Sequence, residues 1–136
     1  MRGVRGVLEM RYSDEVLRRV RHLERVGSLE GGHIGSGEVG TLDHGTVVRI
    51  QVRTDGDRIA EARFKVFGCS AAIASASLVV EWFEGAAIAE AEQVTAERVV
   101  QHLQLSPERA HVAGMAVEAG LRAVAESQAP KAESNT

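Results

Sequence analysis

One cysteine and five histidines are the residues of this chain best suited to metal or nucleophilic chemistry. The cysteine, Cys69, follows Gly68 at the junction between a predicted strand and a predicted helix. The unpaired N–H groups and the positive dipole end at the start of a helix favour a thiolate over a thiol. Because the thiolate is the form that binds iron or zinc, Cys69 is the first residue to consider as a ligand.

Other interpretations of these side chains remain open. A lone cysteine is commonly a buried apolar residue, and it excludes an internal disulfide. Cys69 with a histidine base would make the protein an enzyme, but no oxyanion-hole or substrate motif accompanies it, so we expect no enzyme. His22 and His102 have the spacing of helix-surface residues, and His33 lies in a glycine-rich segment.

An alternation of apolar and charged residues predicts a β-hairpin in the middle of the chain. Its strands are residues 46–53 and 58–67, joined by an Asp-Gly turn at 54–57. The preceding residues 27–46 hold seven of the fourteen glycines. We therefore expect a loop there, with only a short strand near 37–42.

Helical periodicity predicts helices on both sides of the hairpin. Ser13 is placed to cap the first helix, and Ser106 followed by Pro107 marks the start of the last one. The predicted helices span residues 14–25, 70–84, 86–92, 96–103 and 107–125.

This order of elements predicts an α+β fold, with a small antiparallel β-sheet of about three strands and helices packed on one face. The length of 136 residues fits one domain. We divide the chain into a loose N-terminal extension (1–11), a folded domain (12–126) and a disordered tail (127–136). The residues expected in the core are Val48, Ile50, Val52, Ala62, Phe64, Ile73, Leu78, Val117 and Leu121. Ala60 is expected on the same strand face as Ala62 and Phe64.

Charge and hydropathy exclude several classes of protein. A net charge of −3 gives no indication of nucleic-acid binding. No apolar run approaches the roughly 18 residues of a membrane span, and the first ten residues lack the apolar centre of a signal peptide. We therefore expect a cytoplasmic protein with no nucleic-acid and no membrane partner.

Several segments resemble the NifU/IscU family of iron–sulfur cluster scaffolds. The run from Phe64 to Gly85, FKVFGCSAAIASASLVVEWFEG, is similar to the family's signature around its second cysteine. Residues 12–16, 35–40 and 48–50 resemble other family segments, in the same order. The similarity extends over about residues 12–125, most of the chain.

The resemblance implies an IscU-like fold with a cargo site at one end, built in the family from three cysteines and an aspartate. It implies an iron–sulfur cluster, [2Fe–2S], or a single metal ion, zinc or iron, as the bound species. It also implies a cysteine desulfurase and apo-protein clients as partners. Residues 105–109, LSPER, stand where the family has a chaperone-recognition segment, Leu-Pro-Pro-Val-Lys, and this difference leaves chaperone binding open.

The family's ligand positions are only partly retained. Cys69 corresponds to the second cysteine, whereas His44 replaces the first and Thr46 replaces the aspartate. Asp43 is a possible additional carboxylate ligand. His44 is interpreted either as a metal ligand, since Rieske centres use histidine, or as a solvated residue of a turn that has lost its ligand.

The third cysteine is lost as well. The family's histidine is kept as His111, but Val112 follows it in place of the cysteine. His111 is interpreted as a ligand or as an ordinary surface histidine. One sulfur and two nitrogens would suit a tetrahedral metal site with an open fourth position better than a conventional cluster, which prefers thiolates.

Two functions remain after these substitutions. The first is an iron–sulfur scaffold or carrier that binds a cluster or single metal ion near Cys69. The second is a degenerate scaffold that acts as an interaction or regulatory partner of the desulfurase or its clients, without cluster turnover.

Overall fold

The computed structural model describes residues 12–129. The predicted extension (1–11) and residues 130–136 of the predicted tail lie outside the described residues. The strands are β1 (His33–Thr41), β2 (Thr46–Asp55) and β3 (Arg58–Phe67). The helices are α1 (Asp14–Arg21), α2 (Ser70–Phe83), α3 (Ile88–Ala91), α4 (Ala96–Leu103) and α5 (Ala110–Gln128), with 3₁₀ turns at Leu42–His44 and Pro107–Arg109.

The three strands form one antiparallel sheet in the order β1-β2-β3. Helix α5 packs against β1 and β2, and α2 packs against β3. The prediction of an α+β fold with a small antiparallel sheet is confirmed. Among residues 12–129, no helix combines the length and apolar character needed to cross a membrane.

The glycine-rich segment forms a longer strand than predicted, and its glycines explain why. A Cβ atom on Gly35 would collide with the carbonyl oxygen of Ala123, and one on Gly37 with that of Ala119. Helix α5 therefore lies directly on the backbone of β1. The expectation of a loop with a short strand near 37–42 was wrong, because these glycines serve close packing rather than turns.

The return strand carries a β-bulge that changes its pattern of burial. The pairing register shifts after Arg53, which lies opposite Glu61, whereas Thr54 lies opposite Ile59. The extra residue, Ala60, is exposed, and Ile59 is fully buried in its place. The prediction that Ala60 lies on the same strand face as Ala62 and Phe64 was wrong, because a bulge interrupts the two-residue alternation.

The first helix ends at Arg21, four residues earlier than predicted. Arg25 has φ 66°, a left-handed conformation that a helix cannot contain. Beyond the helix the chain runs along the outer edge of β3, where Phe64 N donates to Arg25 O and Gly27 N donates to Phe64 O. Leu23, which follows the end of this helix, is 42% exposed.

The last helix begins after a 3₁₀ turn and extends to Gln128, beyond the predicted end at residue 125. Ser127 is buried, and its hydroxyl donates to Val124 O at 2.7 Å. Residues 127 and 128, which we predicted to belong to the disordered tail, are helical. Packing of Ser127 against the backbone of Gly35 holds this last turn in place.

Most of the predicted core residues are buried in one main core cluster. Its largest fully buried side chains include Phe64, Phe83, Ile50 and Leu78. Two predicted core residues, Ile73 and Leu121, are only half-buried at its margin.

Candidate metal or cluster site

Cys69 is the N-cap residue of α2 and a free, half-buried thiol. It follows β3 through Gly68, whose backbone lies against the side chain of Thr46: a Cβ atom there would be 3.1 Å from Thr46 Cγ2. The carbonyl of Cys69 accepts the first helical hydrogen bond, from Ile73 N at 3.1 Å. The predicted position of Cys69 at the start of a helix is confirmed, and Thr46 lies beside the residue that precedes it.

Val112 is buried in a small apolar cluster at the same place. It is 1% exposed and packs with Ala71 and Ala72 from the first turn of α2. We call these three residues the site cluster. Cys69 packs against it, as do Tyr12, Val66, Leu105 and Met115. Val112 therefore contributes apolar packing next to Cys69.

His44 ends the 3₁₀ turn that joins β1 to β2. Thr41 caps this turn, because its hydroxyl accepts from His44 N at 3.3 Å and lies 2.7 Å from His44 Nδ1. Gly45 follows with φ 84°, which lets the chain reverse into β2. Both His44 and Asp43 are exposed, and Nε2 is the ring nitrogen of His44 that Thr41 leaves accessible.

His111 is the second residue of α5 and is exposed. Its neighbour along the chain, Val112, points into the site cluster instead. In the residues that the structure describes, no three His, Cys, Asp or Glu side chains are grouped so that they could hold a metal ion. The structure thus brings Cys69, Thr46 and Val112 to one end of the molecule, but it does not assemble Cys69, His44 and His111 into a ready coordination centre.

An open cavity of about 520 Å³ lies on the outer face of the sheet, next to these residues. Leu42 and Phe67, which line it, are 68% and 59% exposed. Leu42 is two residues from His44, and Phe67 is two residues from Cys69. Arg49 and Lys65 place positive charge along the same cavity.

Two carboxyl groups with lowered pKa values, those of Glu15 and Glu84, accept hydrogen bonds from arginine side chains. The hydrogen bond from Arg18 is the main cause that lowers the pKa of Glu15 from 4.5 to about 2, against burial and with help from Arg19. Burial raises the pKa of Glu84, but hydrogen bonds from Arg25 and Arg63 outweigh it and hold that pKa below its usual value. Glu84 follows the C-terminal end of α2, about 20 Å from the end that bears Cys69, so this network is structural.

Sequence reasoning missed several neighbours of the site. Thr41 orients His44, and the Thr-x-x-His spacing of a capped turn was the available signal. Met115 lies one helical turn after His111 and packs against the site cluster, a relation that helical spacing could have suggested. The exposure of Leu42 and Phe67 had no sequence signal, because it depends on which sheet face the helices cover.

Comparison with a solved structure defines the fold class of this chain. The N-terminal domain of a nitrogen-fixing NifU-like protein from Brucella abortus superimposes with a TM-score of 0.68, over 89% of this chain and 96% of that one. Their identity is 14%, so this similarity shows a shared NifU-like α+β fold and nothing more.

Sequence comparison identifies the family. The chain is 35% identical over 123 residues to the iron–sulfur cluster assembly scaffold protein IscU of Haemophilus influenzae, covering 88% of this chain and 98% of that protein. It is 36% identical over 120 residues to the protein of the same name in Escherichia coli K12, covering 86% and 94%. The model of the NifU-like N terminal domain matches residues 11–133. The chain belongs to this family, which confirms the resemblance inferred from its motifs.

Proposed function

We propose that this chain is an iron–sulfur scaffold or carrier that holds a cluster, or a single iron or zinc ion, as cargo at Cys69. The observation that carries the proposal is the position of Cys69: a free, half-buried thiol at the N-cap of α2, in a chain that shares its family with IscU scaffolds. The first amides of α2 and its dipole favour the thiolate that a metal requires. The protein would act in the cytoplasm as a carrier, without catalysing a reaction of its own.

His44 and His111 are the proposed additional ligands. With Nε2 of His44 on a metal, Nδ1 would carry the proton and donate to Thr41 Oγ1, which would fix the ring. His111 is exposed at the start of α5, one residue from Val112 in the site cluster. Because no three donors are grouped within residues 12–129, Cys69 is the fixed ligand and the two histidines move toward it when cargo binds. Asp43, also exposed, is a further possible donor in this turn.

The donor set favours a metal ion or a weakly held cluster over stable cluster assembly. A [2Fe–2S] cluster takes four protein ligands, usually thiolates. Cys69 is the chain's one thiol, and Val112 fills the third position with an apolar side chain that cannot accept sulfur. A carrier that receives preassembled cargo therefore agrees with these residues better than a site of new cluster synthesis.

A second function is favoured by a separate observation. Leu42 and Phe67 expose apolar surface within two residues of His44 and Cys69, beside Arg49 and Lys65. Exposed apolar surface of this kind is typical of a protein-binding site. A degenerate scaffold could use it to bind a cysteine desulfurase or client proteins without holding cargo.

Metal analysis of anaerobically purified protein tests the first function. Brown protein with iron and sulfide indicates a cluster, and colourless protein with stoichiometric zinc or iron indicates a single ion. Cys69→Ala should abolish the bound metal, and His44→Ala and His111→Ala should each weaken it. His22→Ala and His33→Ala, which remove exposed histidines elsewhere, are the matched controls. Equal metal content in Cys69→Ala and the parent would refute the site.

Binding to a purified cysteine desulfurase tests the second function. Leu42→Glu with Phe67→Glu should weaken that complex more than Leu23→Glu with Val26→Glu, which alters exposed apolar residues elsewhere. Metal-free protein that binds the desulfurase through Leu42 and Phe67 would favour the interaction function over the carrier.

Rebuilding the family's ligands separates the two functions further. His44→Cys, Thr46→Asp and Val112→Cys together would surround Cys69 with the family's donor set. If the backbone of this end is retained, the triple variant should take up more [2Fe–2S] cluster than the parent from iron, sulfide and thiol. A folded variant that takes up no more would show that the ligand positions have moved apart.

A further inference from the structure

The two outer edges of the sheet are covered in different ways. Main chain covers the edge of β3: Phe64 bonds to the backbone of Arg25 and Gly27, and Ile59 N donates to Ala86 O at 2.9 Å. A carboxylate covers one more position, where Ala62 N donates to Glu84 Oε2 at 3.1 Å. This edge therefore offers few free backbone groups to another strand.

The outer edge of β1 has no such main-chain cover in the part of the chain that the structure describes, since the sheet ends at β1. Two side chains of α5 reach it instead. Ser36 N donates to Glu126 Oε1 at 2.6 Å, and Arg122 Nη1 donates to Glu38 O at 3.1 Å. Glu118, one turn before Arg122, forms an ion pair with it.

The spacing of these contacts matches the geometry of the two elements. Residues 122 and 126 are separated by about 6 Å along a helix, and residues 36 and 38 by about 6.7 Å along a strand. Close packing of α5 on Gly35 and Gly37 brings the helix near enough for both side chains to reach the edge. The spacing of Arg122 and Glu126 on α5 therefore matches the spacing of the two β1 backbone groups that they bind.

We propose that Arg122 and Glu126 form an edge guard that keeps β1 from pairing with β1 of a second copy of this chain. A nine-residue edge strand with free N–H and C=O groups is a template for such pairing. Antiparallel pairing about Gly37 would place Ser36 of one copy opposite Glu38 of the other, so like charges would not meet. The edge is thus a self-association surface that the guard holds closed.

Sedimentation velocity over a range of protein concentrations tests the guard. Arg122→Ala with Glu126→Ala should raise the self-association constant about tenfold or more over the parent, because two hydrogen bonds that compete with strand pairing are lost. Arg122→Lys with Glu126→Gln keeps a donor and an acceptor in place and should behave like the parent. Gln128→Ala removes an exposed polar side chain of α5 that bonds to neither β1 nor Arg122, and it is the matched control.

Amide hydrogen exchange locates the association. In the double alanine variant at low concentration, the Ser36 amide should exchange faster than in the parent, and it should regain protection as concentration rises. Thermal unfolding checks that the variant is folded before either measurement. A folded double variant that associates no more than the parent, or that associates without protecting Ser36, would overturn the edge guard. A parent protein that already associates as tightly as the double alanine variant would also overturn it.

Discussion

The main core and the site cluster are both buried, but they differ in the size of their buried side chains. The main core holds large side chains such as Phe64, Phe83 and Ile50, drawn from strands and helices alike. The site cluster consists of two alanines and Val112. Because stabilisation scales with buried apolar area, the fold depends on the main core and little on the residues around Cys69.

This contrast explains how the ligand substitutions that we propose could occur while the fold persisted. His44 and Thr46 stand at an exposed turn and its exit, where a new side chain disturbs little packing. Val112 is buried, but a valine fills a cysteine's place without a large change in volume. The family's architecture is therefore compatible with the substitutions proposed at these three positions.

Phe64→Ala should give the largest effect, because it opens a cavity in the main core. Phe64 is 2% exposed, and such truncations cost about 3–5 kcal/mol of unfolding free energy. Urea denaturation measures the loss. A cost below about 1 kcal/mol would show that the main core does not carry the stability that the comparison assigns to it.

Gly37→Ala should follow, because the added methyl group would meet the carbonyl oxygen of Ala119 and push α5 off the sheet. Overpacking of this kind costs about 1–3 kcal/mol. Gly114→Ala, in α5 but with open space where the methyl group would stand, is the matched control and should be close to neutral or stabilising. The two variants are compared by thermal and urea unfolding. Equal stability would contradict the close approach of α5 to β1.

Acid should weaken the main core through Glu15, whose carboxylate pairs with buried Arg19. The folded-state pKa of about 2 lies below the ordinary value of 4.5, so the stabilisation is fully present above pH 4.5. It is lost as the pH falls toward 2. Its size should be about 1 kcal/mol, because solvent screens much of the interaction. Glu15→Gln should lack this part of the pH dependence, and parallel acid titrations of parent and variant would contradict it.

Cys69→Ala should have the smallest effect on stability. Cys69 packs only at the margin of the site cluster, so its loss should change the unfolding free energy by less than about 1 kcal/mol. Val112→Cys should be similarly mild, because it nearly conserves volume. Both are measured by the same urea titration, with metal content determined in parallel. A cost as large as that of Phe64→Ala would remove the distinction between the two clusters.

Local sequence patterns were sufficient to predict much of the fold of this protein. The hairpin around the Asp-Gly turn, the helix that starts after Cys69 and the α+β class all follow from periodicity and capping signals between neighbouring residues. The family motif around Cys69 depends equally on a continuous run of residues. Each of these inferences needed only residues that are close along the chain.

The remaining features arise from contacts between distant residues. Gly35 and Gly37 look like loop residues until α5 is packed on them, and the exposure of Ala60 depends on a bulge opposite Arg53. At the candidate site, helical order placed His111 and Val112 side by side, but packing of α5 against α2 buried Val112 and left His111 in solvent. Local preferences are set by neighbours in sequence, whereas burial and close approach are set by the elements that meet in space. The sequence could therefore propose Cys69 as the centre of a site, but only the tertiary structure decided which side chains lie beside it.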